Sequence, residues 1–261
     1  LSLAVHLNKP FAHTTQITSS IPLLSLIYQS LNILSVKMIS AVSFASILAL
    51  LGAASAAPTA TSPVYPPTTT SANFRLVANV TANDLSPSIN NFVVSSYHTA
   101  AGDAWAVLVD NTTTTSGRIF YINGTATEVR FSSANILSDE GTLLYPAGLS
   151  VNSPGTNGEQ ALSINAGAGE TGISLTQFPD PISALQAPAS AGFYACNNAL
   201  PFGSAIQVLS KASGESTPAG CADITLLPQC SEGSGLAHPY GQITNCYADV
   251  AGIDWTVYST D

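Results

Sequence analysis

From residue 73 onward, apolar residues come in short runs that Gly, Asn, Asp, Pro and Ser interrupt every few positions. Short runs, often with period two and bounded by turn residues, mark strands rather than helices. The pattern predicts strands over 74–79, 92–97, 104–109, 118–122, 127–131 and 143–151. Further strands are predicted over 161–165, 173–178, 193–197, 205–210, 222–227 and 253–258. Ala104–Val109 is apolar on both faces, as a central strand would be. In the last segment Ile253, Trp255 and Val257 are expected to face inward. Asn123-Gly124 lies between two of the predicted strands, and Asn-Gly there favours a tight hairpin because both residues tolerate positive φ. Short helical turns fit only near Ser133–Ser138 and Ile182–Gln186. About a dozen short strands predict an all-β fold, an antiparallel sandwich or a closed barrel. A β-trefoil stays open as well, although no threefold repeat is visible.

The pattern before residue 73 is different. Met38–Ala57 is apolar and uncharged and ends in small residues. Ala54-Ser55-Ala56 fits the small-x-small rule for signal cleavage, so 38–56 is read as a signal peptide with the cut between Ala56 and Ala57. A run of this length could also be a membrane anchor, but the Ser/Thr/Pro tract that follows favours cleavage. Residues 57–72 form that tract, an extended leader whose hydroxyls suit O-glycosylation. Residues 1–37 carry Lys9 and Lys37 and no acid, and are read as an upstream segment outside the native protein, or as a longer targeting sequence. A single all-β domain is then expected over 73–261.

Charge narrows the function classes. Only 8% of residues are charged and 46% are hydrophobic, which excludes a disordered acidic tail. Beyond residue 56 only Arg75, Arg118, Arg130 and Lys211 oppose 15 acids. Such a surface is repelled by nucleic acid and by anionic membranes, so neither is an expected partner once the signal is removed. The polar C-terminus lacks the hydrophobic tail that a lipid-anchor signal needs.

Cys196, Cys221, Cys230 and Cys246 all lie in the last third. An even count in a secreted chain points to two disulfides. Four cysteines allow three pairings, and the local one, Cys196–Cys221 with Cys230–Cys246, is the default. A zinc site would need close pairs such as Cys-x-x-Cys, and the chain has none. Asn79, Asn111 and Asn123 each begin an N-glycosylation sequon, the last two in predicted turns.

Catalytic sets are harder to find. Gly167-Ala-Gly-Glu-Thr-Gly172 matches G-x-G-x-x-G, but a dinucleotide loop must open a helix, and here an alternating strand follows. Beyond the signal the only histidines are His98 and His238, and no G-x-S-x-G elbow is present. Asp139-Glu140, Asp223, Asp249 and Asp254 could supply a carboxylate pair. Neighbours on a strand point to opposite faces, so Asp139 and Glu140 read as solvated loop charges rather than a dyad. Trp105, Tyr121, Tyr145, Tyr194, Tyr240 and Trp255 could stack on sugars, with Tyr240 the best candidate for exposure. No cofactor and no metal is called for.

Phe193-Tyr194-Ala195-Cys196, then Pro218-Ala219-Gly220-Cys221, then Cys246-Tyr247, resembles small secreted fungal proteins of the PhiA cell wall family. Phe74–Val80 and Phe92–Thr99 resemble a related uncharacterised fungal secreted domain family. Cys230 and the long 131–190 region depart from the PhiA pattern. The resemblance implies a signal peptide, an all-β fold, a place in the cell wall or outside the cell, and no catalytic residues. The expectation is a non-enzymatic extracellular glycoprotein with wall polysaccharide as its partner class. The rivals are a secreted carbohydrate-binding module or effector and, behind it, a glycosidase-like enzyme.

Overall fold

The computed structural model describes residues 64–112, 117–140, 144–155 and 158–258. The chain divides into units of residues 1–59 and 60–261, and every described residue belongs to the second. Segments 1–37 and 38–56, with Ala56 and Ala57 at the cut, lie outside the described residues.

The unit is all-β. Its first strands are β1 (Thr69–Ser71), β2 (Asn73–Ala82), β3 (Val93–Ala100), β4 (Asp103–Val109) and β5 (Phe120–Asn123). A one-turn helix α1 (Ala126–Arg130) precedes β6 (Asn135–Glu140), β7 (Tyr145–Val151) and β8 (Gln160–Ala166). Two short strands, β9 (Ser174–Leu175) and β10 (Leu185–Gln186), pair only with each other. Three long strands follow: β11 (Ser190–Leu200), β12 (Gly203–Ala212) and β13 (Cys221–Ser231). β14 (Gly241–Gln242), β15 (Thr244–Cys246) and a 3-10 turn at Trp255–Tyr258 complete the order.

The main sheet runs β11-β13-β2-β3-β4-β12-β8-β7-β6-β5-β14, and all its ladders are antiparallel. It closes into a barrel because strands pair twice along one edge. β2 meets β5 at Phe74–Phe120 and β3 at Val77–Val93. β12 meets β4 at Ile206–Leu108, β8 at Leu209–Ala161, and β11 along its length.

Alternation fills the interior. Phe74, Leu76 and Ala78 of β2 enter one core with Ala106 and Leu108 of β4 and Phe120 and Ile122 of β5. Leu162 and Ile164 of β8, Phe193 and Ala195 of β11, and Ala222, Ile224 and Leu226 of β13 join the same core. Each strand contributes every second residue, as a pleated wall around one interior requires. Outside the barrel, Val77, Val93 and Leu227 form a second cluster with Tyr247 and Val250 of the C-terminal segment. Trp255 packs on Tyr247 edge to face at 4.9 Å, and its indole N–H donates to the Val250 carbonyl at 3.0 Å.

Both disulfides are local. Cys196 and Cys221 face each other across β11 and β13, with Cα atoms 4.4 Å apart. Cys230–Cys246 fastens β13 to β15, which in turn pairs with β1. Thr69–Ser71, in the stretch read as leader, is therefore a strand of the fold.

Four expectations change. Where a strand was expected over 127–131, Ala126–Arg130 is helical with Phe131 as its C-cap, because Thr125 caps the Glu128 amide while Glu128 reaches back to the Thr125 amide at 2.6 Å. A reciprocal capping box offsets the strand preference of so short a segment. Asn123-Gly124 is consequently no hairpin; it leads from β5 into α1, and the chain returns as β6, which also replaces the helical turn suggested near Ser133–Ser138. The segment 253–258 finds no sheet edge. Ile253 and Trp255 pack partly on the outer cluster, whereas Val257 is 62% exposed.

The Gly-rich motif is a packing device. A Cβ on Gly148 of β7 would lie 2.2 Å from the Gly169 backbone nitrogen, and one on Gly169 would lie 2.7 Å from the Leu149 oxygen. Gly169 also sits at φ +70°, where glycine carries no Cβ penalty. The 167–172 loop thus lies flat on β7, held by Glu170 N–H to Leu149 O at 2.8 Å and by Val151 N–H to the Glu170 carboxylate at 2.8 Å.

Gly148→Ala is expected to cost about 3 kcal/mol, since backbone rather than a flexible side chain must move; denaturant unfolding measures it. Replacing Cys230 and Cys246 together by Ser is expected to cost about 3 kcal/mol on the chain-entropy model. Hydrogen exchange should then show protection lost first over 241–258; equal loss across β2–β8 would contradict this.

Candidate functional site

Polar and open features gather in two places. The first lies beside β3, β5 and β6. Ser96, Ser138 and Glu140 continue the alternate rows that place Val94 and Ile136 in the core. Arg118 reaches across them: its guanidinium pairs with Glu140, donates to Ser96 Oγ at 2.7 and 3.0 Å, and donates to the Asp139 carbonyl at 3.1 Å. Asp139 turns the other way and meets His238 Nε2 at 3.0 Å. The His238 ring lies flat on Tyr121, with centroids 3.6 Å apart. Burial, with help from the Asp139 charge, pushes the Tyr121 hydroxyl up to about 12. A shallow pocket of about 330 Å³ opens next to Arg118, Asp139 and Ser234.

Serine, histidine and aspartate therefore meet, but not in hydrolytic order. Ser234 donates directly to the Asp139 carboxylate, the same group that holds His238. In a triad the serine bonds to the imidazole, which removes its proton, and the carboxylate orients the other ring nitrogen. Here one carboxylate gathers both groups, and the hydroxyl bonds to Asp139 rather than to the imidazole that would have to remove its proton in a triad. Asp139 and Glu140 do face apart, but they are strand residues tied to His238 and Arg118, not solvated loop charges.

The other carboxylates are similarly committed. Lys211 donates to Asp223 at 2.6 Å, and Thr217 donates to the same oxygen. Burial alone would raise the Asp223 carboxyl, but these donors and the lysine charge outweigh it and hold the group below its ordinary range. Asp249 accepts from the Ala251 amide and Asp254 from Thr256, both in exposed turns. His98 is exposed on β3, so the two histidines have separate surroundings.

The second place is a cleft of about 630 Å³ between the β2–β3 loop and the turn before β13. One wall is the loop 83–92. Asp84 organises it by accepting from the Leu85 amide at 2.8 Å, the Ile89 amide at 3.1 Å and the Ser88 hydroxyl. Asn90 accepts from the Val80 amide at 3.0 Å, and the Asn91 amide donates to Ala78 O at 2.8 Å. The opposite wall is Thr217–Cys221, fixed by the Cys196–Cys221 bond and the Lys211–Thr217–Asp223 cluster. Leu85, Phe92 and Ile206 form an apolar floor that packs on the barrel core. Neither the loop's Asp84 clasp nor the cleft was foreseen; Asn83-Asp84-x-Ser-Pro was the turn signal that could have marked the clasp.

The sequons differ in setting. Asn79 is half-buried on the outer face of β2, and Asn111 is exposed just past β4. Asn123 is not in a turn: it closes β5 between β6 and β14, and its Nδ2 donates to Asn135 at 3.1 Å. Among the candidate aromatics, Tyr194 and Tyr121 are buried, Tyr145 is 39% exposed, and Tyr240 is 62% exposed. Trp105 and Trp255 are half-buried. Sequence reasoning missed Phe178, 84% exposed and stacked on Tyr65.

A closed, disulfide-stapled β-barrel with paired charges is thus the class of protein the geometry defines. The chain belongs to the family of the domain of unknown function DUF7907, whose model matches residues 71–230, from the end of β1 to Cys230 in β13. It is also similar to the antigenic protein SchS34 of Stachybotrys chartarum. The two are 36% identical over 216 residues, covering 75% of this chain and 95% of the relative. No solved structure matches the chain. The family match, the fungal relative and the two disulfides are consistent with an extracellular fungal protein.

Asp223→Asn is expected to lower stability at neutral pH by roughly 1–2 kcal/mol, discounting a charged hydrogen bond for partial exposure. Because the folded carboxyl lies below its unfolded value, that stabilisation is complete above about pH 4 and fades as pH falls through the folded value. The variant and the native protein should therefore converge in acid; thermal melts between neutral and strongly acidic pH would test this. Glycopeptide mapping is expected to find Asn111 occupied and Asn123 bare, because the attachment nitrogen of Asn123 is already engaged between two strands.

Proposed function

We propose that this is a secreted, non-catalytic fungal glycoprotein that acts outside the cell in contact with wall polysaccharide. The observation that carries the reading is the commitment of the reactive side chains. Asp139, Glu140, Asp223, His238 and Ser234 are tied into pairs that hold strands and loops together. A hydrolase needs a nucleophile beside a base, or two carboxylates facing one sugar bond. Two disulfides suit an oxidising compartment, and the sequons suit glycosylation. The resemblance to PhiA-type wall proteins supports placement in the wall, and the fungal relative supports an extracellular setting.

A second reading, a soluble carbohydrate-binding module or effector, is favoured by the exposed rings. Phe178 stacked on Tyr65, and Tyr240, offer flat apolar faces of the kind that sugars stack upon.

Fractionation of the producing culture separates the two. The wall reading expects the protein in washed walls, released by glucanase, reductant or detergent. Recovery wholly in the medium would overturn it and leave the soluble binder. In either case Phe178→Ala is expected to weaken retention on insoluble glucan or chitin several-fold, at roughly 1–2 kcal/mol for a stacked ring.

A further inference from the structure

We propose that the 630 Å³ cleft between residues 83–92 and 217–221 is a binding site for one small, predominantly apolar molecule that is neutral or cationic. This role is independent of where the protein resides.

The cleft has the size of a ligand pocket, since small-molecule sites commonly enclose about 300–1,000 Å³. Its floor is apolar and joined to the barrel core. Ile89 is almost fully buried, while Leu85, Phe92 and Ile206 pack against the core with part of their surface still open. A guest seated on them would complete a packed surface, and burying apolar area is the main favourable term in such binding.

Both walls are already organised. The Asp84 clasp and the bonds from Val80 to Asn90 and from Asn91 to Ala78 set the first wall. The Cys196–Cys221 bond and the Thr217–Asp223–Lys211 cluster set the second. Binding therefore orders little chain, which preserves affinity.

Charge selects the guest. Among the described residues, no lysine, arginine or histidine lines the cleft. The ionisable group along it is Asp84, whose hydrogen bonds more than offset burial and hold it below the ordinary carboxyl range. Asp223 lies behind Thr217, with its charge matched by Lys211. A carboxylate or sulfonate in the cleft would meet an unpaired negative field and no cation. A neutral or cationic guest meets no such opposition. Asn83, Asn197 and Thr217 at the rim can hydrogen-bond a single polar group.

The test uses two fluorescent probes on the whole protein: neutral N-phenyl-1-naphthylamine and anionic anilinonaphthalene sulfonate. The neutral probe is expected to bind one saturable site, at least tenfold tighter than the sulfonate. Ala219→Trp, an exposed substitution in the cleft wall, should weaken neutral-probe binding at least tenfold, while Ala191→Trp, on exposed β11 surface outside the cleft, should not. As a second readout, the neutral probe should slow amide exchange over 83–92 in the native protein, which keeps the test decisive if Ala219→Trp folds poorly. No saturable binding, unchanged binding in a folded Ala219→Trp, or no added protection over 83–92 would overturn the site. Equal affinity for the sulfonate would overturn the class of guest.

Discussion

Phe74 and Phe120 pack ring to ring at 6.2 Å where β2 meets β5, and that contact marks the line on which the sheet closes. An open sheet of this composition would leave an apolar face to water and two edges free to pair with other chains. Closure converts the same inward rows into one shared core. It also makes register strict, because a slip by one residue would turn Leu76, Ile164 or Leu226 outward and bring a polar neighbour in. The polar loops and outer clusters are positioned by this one wall.

Stapling and covering then act on what closure leaves exposed. Tyr194, Leu209 and the Cys196–Cys221 pair make a small cluster on the outer face of β11–β13. The Cys230–Cys246 bond brings Tyr247 and Trp255 over Val77, Val93 and Leu227. Tyr247 is fully buried there, with its hydroxyl accepting from the Ser183 amide at 2.8 Å. The family match ends at Cys230, so β2–β12 and all but the last residue of β13 lie within the matched span, while β14, β15 and the C-terminal cover lie beyond it.

The two polar places on this frame are chemically unlike. Beside β5 and β6, Arg118 pairs with Glu140 and Asp139 is hydrogen-bonded to both His238 and Ser234, which favours rigidity over reactivity. In the cleft, polar groups sit in the walls and hydrophobic side chains line the floor. A site that binds without reacting needs this division: fixed polar walls for shape and an apolar floor for affinity.

Local pattern determined a good deal. Period-two alternation in 74–79 and 222–227 specified strands, since a half-buried pleat demands it; the short, wholly apolar run 104–109 specified a central one; and the even count of late cysteines specified two disulfides. The Thr125-x-x-Glu128 capping box was legible too, but was masked by the strand preference of Val129 and Phe131. Tertiary structure decided the rest. Barrel closure depends on which strands share an edge, a matter of pairings far apart in sequence, such as Phe74 with Phe120 and Leu209 with Ala161. The meeting of His238 with Asp139 and the cleft between residues 83–92 and 217–221 likewise join segments distant along the chain. No local signal encodes such distances, because they are set by how the wall wraps around its core rather than by any residue's neighbours in sequence.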